Sequence, residues 1–189
     1  MGLGQAFLSR AFGQPRGLLG RLGGRLMARM NRPCAERVLT LLEVNPQDRV
    51  LEIGFGSGVG IALAARVAKS VAGADPSADM VAQAKARNAG DVATGHVDLR
   101  EAPAEKLPFN SGTFDKVFAI NSMQLWADRG AGLREVRRVL EPGGRLALGF
   151  TANSGQGKSG LVEALSAAGF DRPRLVESET CICALAGNP

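Results

Sequence analysis

Apolar residues in this chain switch repeatedly between two spacings. Short continuous or alternating runs cover 49–53, 70–74, 97–101, 114–120 and 144–150, and two more lie near 174–178 and 180–185. Their lengths suit strands. Segments in which apolar residues recur at i, i+3 and i+4 fall at 34–43, 58–68, 77–88, 130–140 and 157–168. Strand alternating with helix predicts an α/β domain built on a parallel sheet with helices on both faces. Asn45-Pro46-Gln47-Asp48 reads as the turn into the first strand, and Pro33 suits the first turn of the helix at 34–43. Residues 1–33 read as a separate arm ahead of a single domain, 34–189. Six glycines and prolines between Gly13 and Gly24 weaken any long helix there. Yet Leu18, Leu22, Leu26 and Met30 repeat at four-residue spacing, as do Arg21, Arg25 and Arg29. On a helix these stripes lie about 100° apart.

Charge sharpens the picture of the arm. The formal net charge is +5, but residues 1–35 hold six arginines and no acid, leaving the rest close to neutral. Aromatic residues are 5% with no tyrosine, so stacking platforms for bases are missing and no nucleic-acid partner is expected. The arm suits either a lid over a pocket or a peripheral contact of residues 1–32 with anionic lipid. No apolar run approaches the roughly 18 residues of a membrane span, and arginines interrupt the N-terminal apolar residues, so no leader peptide is expected. Three cysteines make no disulfide framework, and a reducing cytoplasm is the expected compartment. Cys181 and Cys183 fall on one face of a strand, as core thiols or, with Cys34, as ligands of a soft metal or arsenic. No His/Asp/Glu set has metal spacing, and no metal is expected.

The chemistry concentrates in Val50-Leu-Glu-Ile-Gly-Phe-Gly-Ser-Gly-Val-Gly60. An apolar run with an acid near its end feeds three alternating glycines, a helical pattern follows, and a second apolar run ends in Asp75. Glycines there permit a sharp turn and close approach of a nucleoside. Asp75, about 20 residues on, is placed to accept from both ribose hydroxyls. A dinucleotide fold wants a pyrophosphate at the turn, which the Glu52 carboxylate would repel. An ammonium group would be held by it. S-adenosylmethionine carries an ammonium and a sulfonium and no phosphate, so charge favours that cofactor over NAD or FAD.

Further segments follow in order: Val71-Ala-Gly-Ala-Asp-Pro-Ser77 with Met80, Glu105-Lys-Leu-Pro-Phe109, Phe114-Asp-Lys-Val-Phe118, and Leu133 to Gly144. In these the chain resembles the class I S-adenosylmethionine-dependent methyltransferases, nearest the small ubiquinone/menaquinone-methylase-like branch. The resemblance covers about residues 36–170. It implies a Rossmann-like three-layer sandwich with a mostly parallel seven-stranded sheet of order 3-2-1-4-5-7-6, strand 7 antiparallel. It implies methyl transfer from S-adenosylmethionine, leaving S-adenosylhomocysteine, to a small or amphiphilic molecule. A lipid or quinone acceptor, or a non-catalytic cofactor-binding regulator, are the alternatives.

Ligands of open α/β sheets sit beyond the carboxyl ends of the strands. Read that way, Glu52, Gly54, Gly56, Gly58, Asp75, Pro76 and Ser77 form the cofactor site, with Ser77 also a helix cap. Met80 is placed for the adenine face or the core. The family usually carries an acid or small polar residue after the third strand, just before an alanine. Here Pro103 stands there, which leaves the Ala104 backbone and Glu105 as adenine contacts. Asn121, Gln124 and Trp126 lie where the resemblance puts the methyl end and the acceptor, with Met30 from the arm. Trp126 serves equally as packing. No general base is identified: His96, the single histidine, precedes the third strand on the wrong edge. Asp115 reads as structural. Ala152-Asn-Ser-Gly-Gln-Gly-Lys158-Ser159 imitates a phosphate-binding loop, but so late in the chain it reads as a loop and helix start.

Overall fold

The computed structural model describes residues 17–189, with side chains from Met30 onward. The stripes on Leu18, Leu22 and Leu26 and on Arg21, Arg25 and Arg29 therefore lie outside the described side chains. The elements run α1 (Gly17–Leu42), β1 (Arg49–Ile53), α2 (Val59–Ala64), β2 (Ser70–Asp75), α3 (Ala78–Arg87), α4 (Ala89–Ala93), β3 (Val97–Glu101), β4 (Phe114–Ile120), α5 (Arg129–Val139), β5 (Leu140–Phe150), α6 (Leu161–Ala167), β6 (Asp171–Glu177) and β7 (Ile182–Gly187). The sheet order is β3-β2-β1-β4-β5-β7-β6. The first five strands pair in parallel, and β7 is antiparallel to both β5 and β6.

Two apolar clusters cover the two faces. One face holds Val136 and Leu133 of α5 with Leu165 of α6 over Ile53, Ala119 and Leu148. The other holds Val38 and Leu42 of α1 with Ile61 and Ala84 over Val50, Phe118 and Ala147. The strand ends away from the glycine turn are locked by Arg49. Its N–H and guanidinium donate to Asp115, and the guanidinium also reaches Glu141 at 2.5 Å. Asp115 is thus structural, as expected. Near the C-terminal end of α5, Arg138 holds the carbonyls of Leu107 and Phe109, while Glu135 accepts from the Leu107 N–H. The 105–109 loop is thereby pinned to α5.

The observed elements depart from the sequence expectation in several places. A new helix does not begin at Pro33: α1 runs through it from Gly17 to Leu42. Packing of Cys34, Ala35, Val38 and Leu42, all 1% exposed or less, outweighs the hydrogen bond that proline forfeits. The helix expected at 157–168 is only Leu161–Ala167, because Gly160 at φ 79° caps it late. β5 opens at Leu140 rather than 144, since Leu140 pairs Phe114 before a register shift. β6 tolerates Pro173 because it is the edge strand, bonded to β7 alone. The short α4 was not expected.

All three cysteines meet. Cys181 Sγ lies 3.5 Å from Cys183 Sγ, and hydrogen bonds with both, then burial, push the Cys34 thiol up. The thiols pack as free, buried core groups. Among the described residues no set of His, Cys, Asp or Glu could hold a metal ion. No described helix is long and apolar enough to cross a membrane.

Candidate functional site

The parallel strands deliver their carboxyl ends to one rim, and there a cleft of about 600 Å³ opens. Small-molecule sites span roughly 300–1,000 Å³. β1 ends in the glycine turn, and the three glycines do different work. Gly54 stands at φ 69°, and a Cβ there would lie 2.4 Å from Ser122 Cβ. Its lack of a side chain lets the turns after β1 and β4 touch, with Ser122 Oγ donating to the Ile53 carbonyl at 2.9 Å. Gly58, at φ 79°, caps α2, and a Cβ would meet Ala84 Cβ at 2.7 Å. Of these three, Gly56 alone is a position where a Cβ would meet nothing within 4 Å. Gly56 therefore presents bare backbone to the cleft.

Two acids line the same turn. Asp75, at the end of β2, accepts from the Gly56 N–H (2.8 Å) and the Ser77 N–H (2.9 Å). Burial nonetheless raises its pKa above the ordinary value. Glu52 is 3% exposed. Burial first, then the charge of Asp75, push its pKa well above the usual carboxylate range, against one opposing bond from the Ile61 N–H. Its Oε2 is buried without a partner. A buried carboxylate oxygen with neither a hydrogen bond nor a counter-charge is costly, and a cation placed there would satisfy it. The site thus has an orphaned acceptor at one end and a side-chain-free turn beside it. Both fit a nucleoside cofactor bearing an ammonium group.

Of the expected site residues, the cleft gathers Glu52, Gly54, Gly56, Asp75, Pro76, Ser77, Met80, Ala104, Glu105, Asn121, Gln124 and Trp126. Ser77 also caps α3, accepting from the Met80 N–H at 3.4 Å. Glu105 points one oxygen at the Asp128 N–H, 3.0 Å away. Trp126 lies against Gly132 of α5, where a Cβ would be 2.4 Å from its ring, so it both packs and lines. Gly58 and Met30 are not in the lining. Gly58 is used up in packing on α3, and Met30 is 49% exposed. Residues the sequence did not single out join instead: Asn31 and Ala35 of α1, Phe55, Ser122 and Leu125. A polar residue one step from Met30 was the available signal for Asn31, but its partner lies 90 positions away.

The titratable side chains of the lining are Glu52, Asp75 and Glu105. His96 sits on the opposite edge, with Nε2 at 3.1 Å from the Ala68 carbonyl. The phosphate-loop imitation forms no cradle. Lys158 pairs with Glu177 at 2.5 Å, and the helix starts three residues beyond it.

Residues 51–148 match the family model described as "Methyltransferase domain". The Bacillus subtilis protein YrhH is 30% identical over 147 residues, covering 77% of this chain and 81% of its own. A ubiquinone/menaquinone biosynthesis C-methyltransferase, UbiE of Geotalea daltonii, is 36% identical over 106 residues, or 54% of this chain. The chain spans only 45% of that relative's length. Among solved structures, a SAM-dependent methyltransferase from Aquifex aeolicus superposes with a TM-score of 0.78 at 19% identity, covering 88% of this chain and 97% of its own.

Proposed function

The chain belongs to the class I S-adenosylmethionine-dependent methyltransferases, and on that premise we propose that it methylates a small, largely apolar or amphiphilic molecule by in-line displacement. The observation that carries this is the continuity of the cleft. A single cavity runs from Asp75 after β2, past Gly56, to Gln124, Leu125 and Trp126 after β4.

In this reading Asp75 accepts from the ribose hydroxyls with lone pairs left over from its two backbone bonds. Glu52 holds the ammonium group, which gives its orphaned oxygen a partner. Met80 and Ala104, both buried, enclose the adenine. Asn121 holds the turn after β4 in shape at φ 49°, through bonds to Asn31 and Thr151. The bound cofactor supplies a methyl group already activated by its sulfonium. The protein's part is therefore to bind, align and exclude water, which can supply about 7–11 kcal/mol of a barrier when alignment is good. Among the described residues no side chain at the acceptor end is a strong base, so in this reading the acceptor ionises easily or gives its proton to water.

One observation favours a second reading, an acceptor drawn from a membrane surface. Leu125 lines the cleft and is 60% exposed, and residues 1–35 carry six arginines and no acid. Methyl transfer from labelled S-adenosylmethionine to a panel of phenols, quinols, thiols and amines, free and in vesicles, tests both. Transfer to free acceptors supports the first reading, and transfer only in vesicles supports the second. Binding of S-adenosylhomocysteine with no transfer to any of them would overturn both.

A further inference from the structure

The loop after β3 and the start of α5 are bound to one another across the mouth of the cleft. The Ala102 N–H donates to the Asp75 carbonyl at 3.1 Å, so the loop sets out from the strand end that carries Asp75. Two residues on, Ala104 is buried and lines the cleft. Glu105, also in the lining, then accepts from the Asp128 N–H at 3.0 Å through Oε1. Glu135 and Arg138 grip the backbone of Leu107 and Phe109 farther along. The loop is thus fastened near both ends of α5, and Glu105 makes the fastening two residues from Trp126. Asp128 is where these parts meet. Its side chain caps α5, accepting from the Ala131 N–H at 3.0 Å, and its carbonyl accepts from the Gly132 N–H at 3.0 Å. Gly132 is the bare seat of the Trp126 ring, which a Cβ there would approach to 2.4 Å.

We infer that Glu105 is a positioning residue for the acceptor wall: it ties Trp126 to the loop that encloses the cofactor, so that a bound cofactor sets the wall before an acceptor arrives. A nucleoside lying against Ala104 restricts the loop at 102–105. The Glu105 bond passes that restriction to the Asp128 N–H, and so to the short segment that carries Trp126. With its side chain and carbonyl engaged by α5, Asp128 meets the loop through that N–H. One such bond favours the held geometry by about two- to tenfold. That is enough to matter where the protein's part in the reaction is alignment. Glu105 touches neither the methyl group nor its acceptor in this arrangement and acts through Trp126. The inference rests on the reading of this cleft as the methyl-transfer site.

Trp126 is the single tryptophan and the chain has no tyrosine, so tryptophan fluorescence of the full chain reports on this wall alone. The test titrates S-adenosylhomocysteine, follows acrylamide quenching of Trp126, and measures affinity by calorimetry. In wild type, saturation should reduce the access of acrylamide to Trp126. Glu105 is only partly buried, so Glu105→Ala leaves the core intact. That variant should lose the quenching response while binding S-adenosylhomocysteine within about threefold of wild type. Glu105→Gln keeps an oxygen for the Asp128 N–H and should restore the response. An undiminished response in Glu105→Ala, a Glu105→Gln protein as unresponsive as the alanine variant, or no response in a wild type that binds the ligand would overturn the positioning role. A larger fall in affinity in Glu105→Ala would also overturn it, by making Glu105 a direct contact of the cofactor. Wild type that fails to bind S-adenosylhomocysteine would instead sink the reading of the cleft.

Discussion

The Glu52 carboxylate lies against the bare Cα of Gly60: a Cβ at that glycine would stand 2.4 Å from Glu52 Oε1. Gly60, in the first turn of α2, thus makes room for the acid, while a Cβ on Gly56 would meet nothing within 4 Å. An acid this deeply buried, and raised in pKa by burial and by Asp75, is held in place at the expense of folding.

That conflict gives the first prediction. A carboxyl whose folded pKa is raised binds its proton more tightly in the folded protein than in the unfolded chain. Its contribution is most favourable near the ordinary carboxylate range and is lost as pH rises through the raised value. Glu52→Gln should therefore stabilise the ligand-free protein at pH 8 by about 1–3 kcal/mol, with the gain fading toward pH 4.5. The same substitution should weaken S-adenosylhomocysteine by roughly tenfold or more. Thermal melts across pH and calorimetric titration measure the two effects, and unchanged ligand affinity would remove Glu52 from the ammonium site.

Asp75 and the glycines separate binding from folding. Asp75→Ala should weaken S-adenosylhomocysteine by about 1.5–3 kcal/mol, as two charge-assisted bonds to the ribose are lost. It should also loosen the turn, because the Gly56 and Ser77 N–H groups lose their acceptor. Gly56→Val should act mainly on binding, since its side chain would occupy the cleft. Gly54→Ala and Gly58→Ala should act mainly on stability, through contacts with Ser122 and Ala84. A Gly56→Val protein that binds normally would place the cofactor elsewhere.

Asp115 should matter to the fold and not to the chemistry. Hydrogen bonds from Arg49 hold its pKa below the ordinary value. A lowered acid contributes stability above its unfolded pKa and loses it as pH falls through the folded one. Asp115→Ala should cost about 1–2 kcal/mol at pH 7 and blunt the loss of stability at acid pH. Affinity for S-adenosylhomocysteine should stay within about twofold. A large loss of binding would mean that the far ends of β1 and β4 are coupled to the cleft.

Lys158→Ala should leave cofactor binding untouched and remove only an exposed pair with Glu177, worth at most about 1 kcal/mol. The wild type should show no ATP binding in the micromolar range. Lys158-dependent ATP binding would revive the phosphate-loop reading.

Much of this was legible in the chain because it is local. Strand and helix periods, the glycine turn and Asp75 at its fixed distance all repeat within a short window, and the resemblance then supplied the order of the strands. What escaped depends on distant partners. Gly60 is dictated by a carboxylate eight residues back whose burial no window reveals. Asn31 has meaning only through Asn121 and Thr151. The meeting of Cys34 with Cys181 and Cys183 needs α1 laid across β7. Pro33 misled for a related reason: local propensity argued for a break, and packing of the helix behind it prevailed.

The arm remains the sharpest test of how the cleft is closed. Among the described side chains of α1 the buried ones start at Cys34, and the cleft takes Asn31 and Ala35 from it, so removal of residues 1–29 should leave a folded domain that binds S-adenosylhomocysteine. If the Leu18, Leu22 and Leu26 stripe covers the acceptor, the truncated protein should lose activity on soluble acceptors with no lipid present, because water reaches the aligned methyl group. If the arginines instead hold the protein to anionic lipid, activity on soluble acceptors should survive the truncation. Vesicle co-sedimentation of the full chain would then be present and would fall as salt screens the contact. Should the truncated chain aggregate or melt early, the stripe belongs to the core, and neither the lid nor the anchor stands.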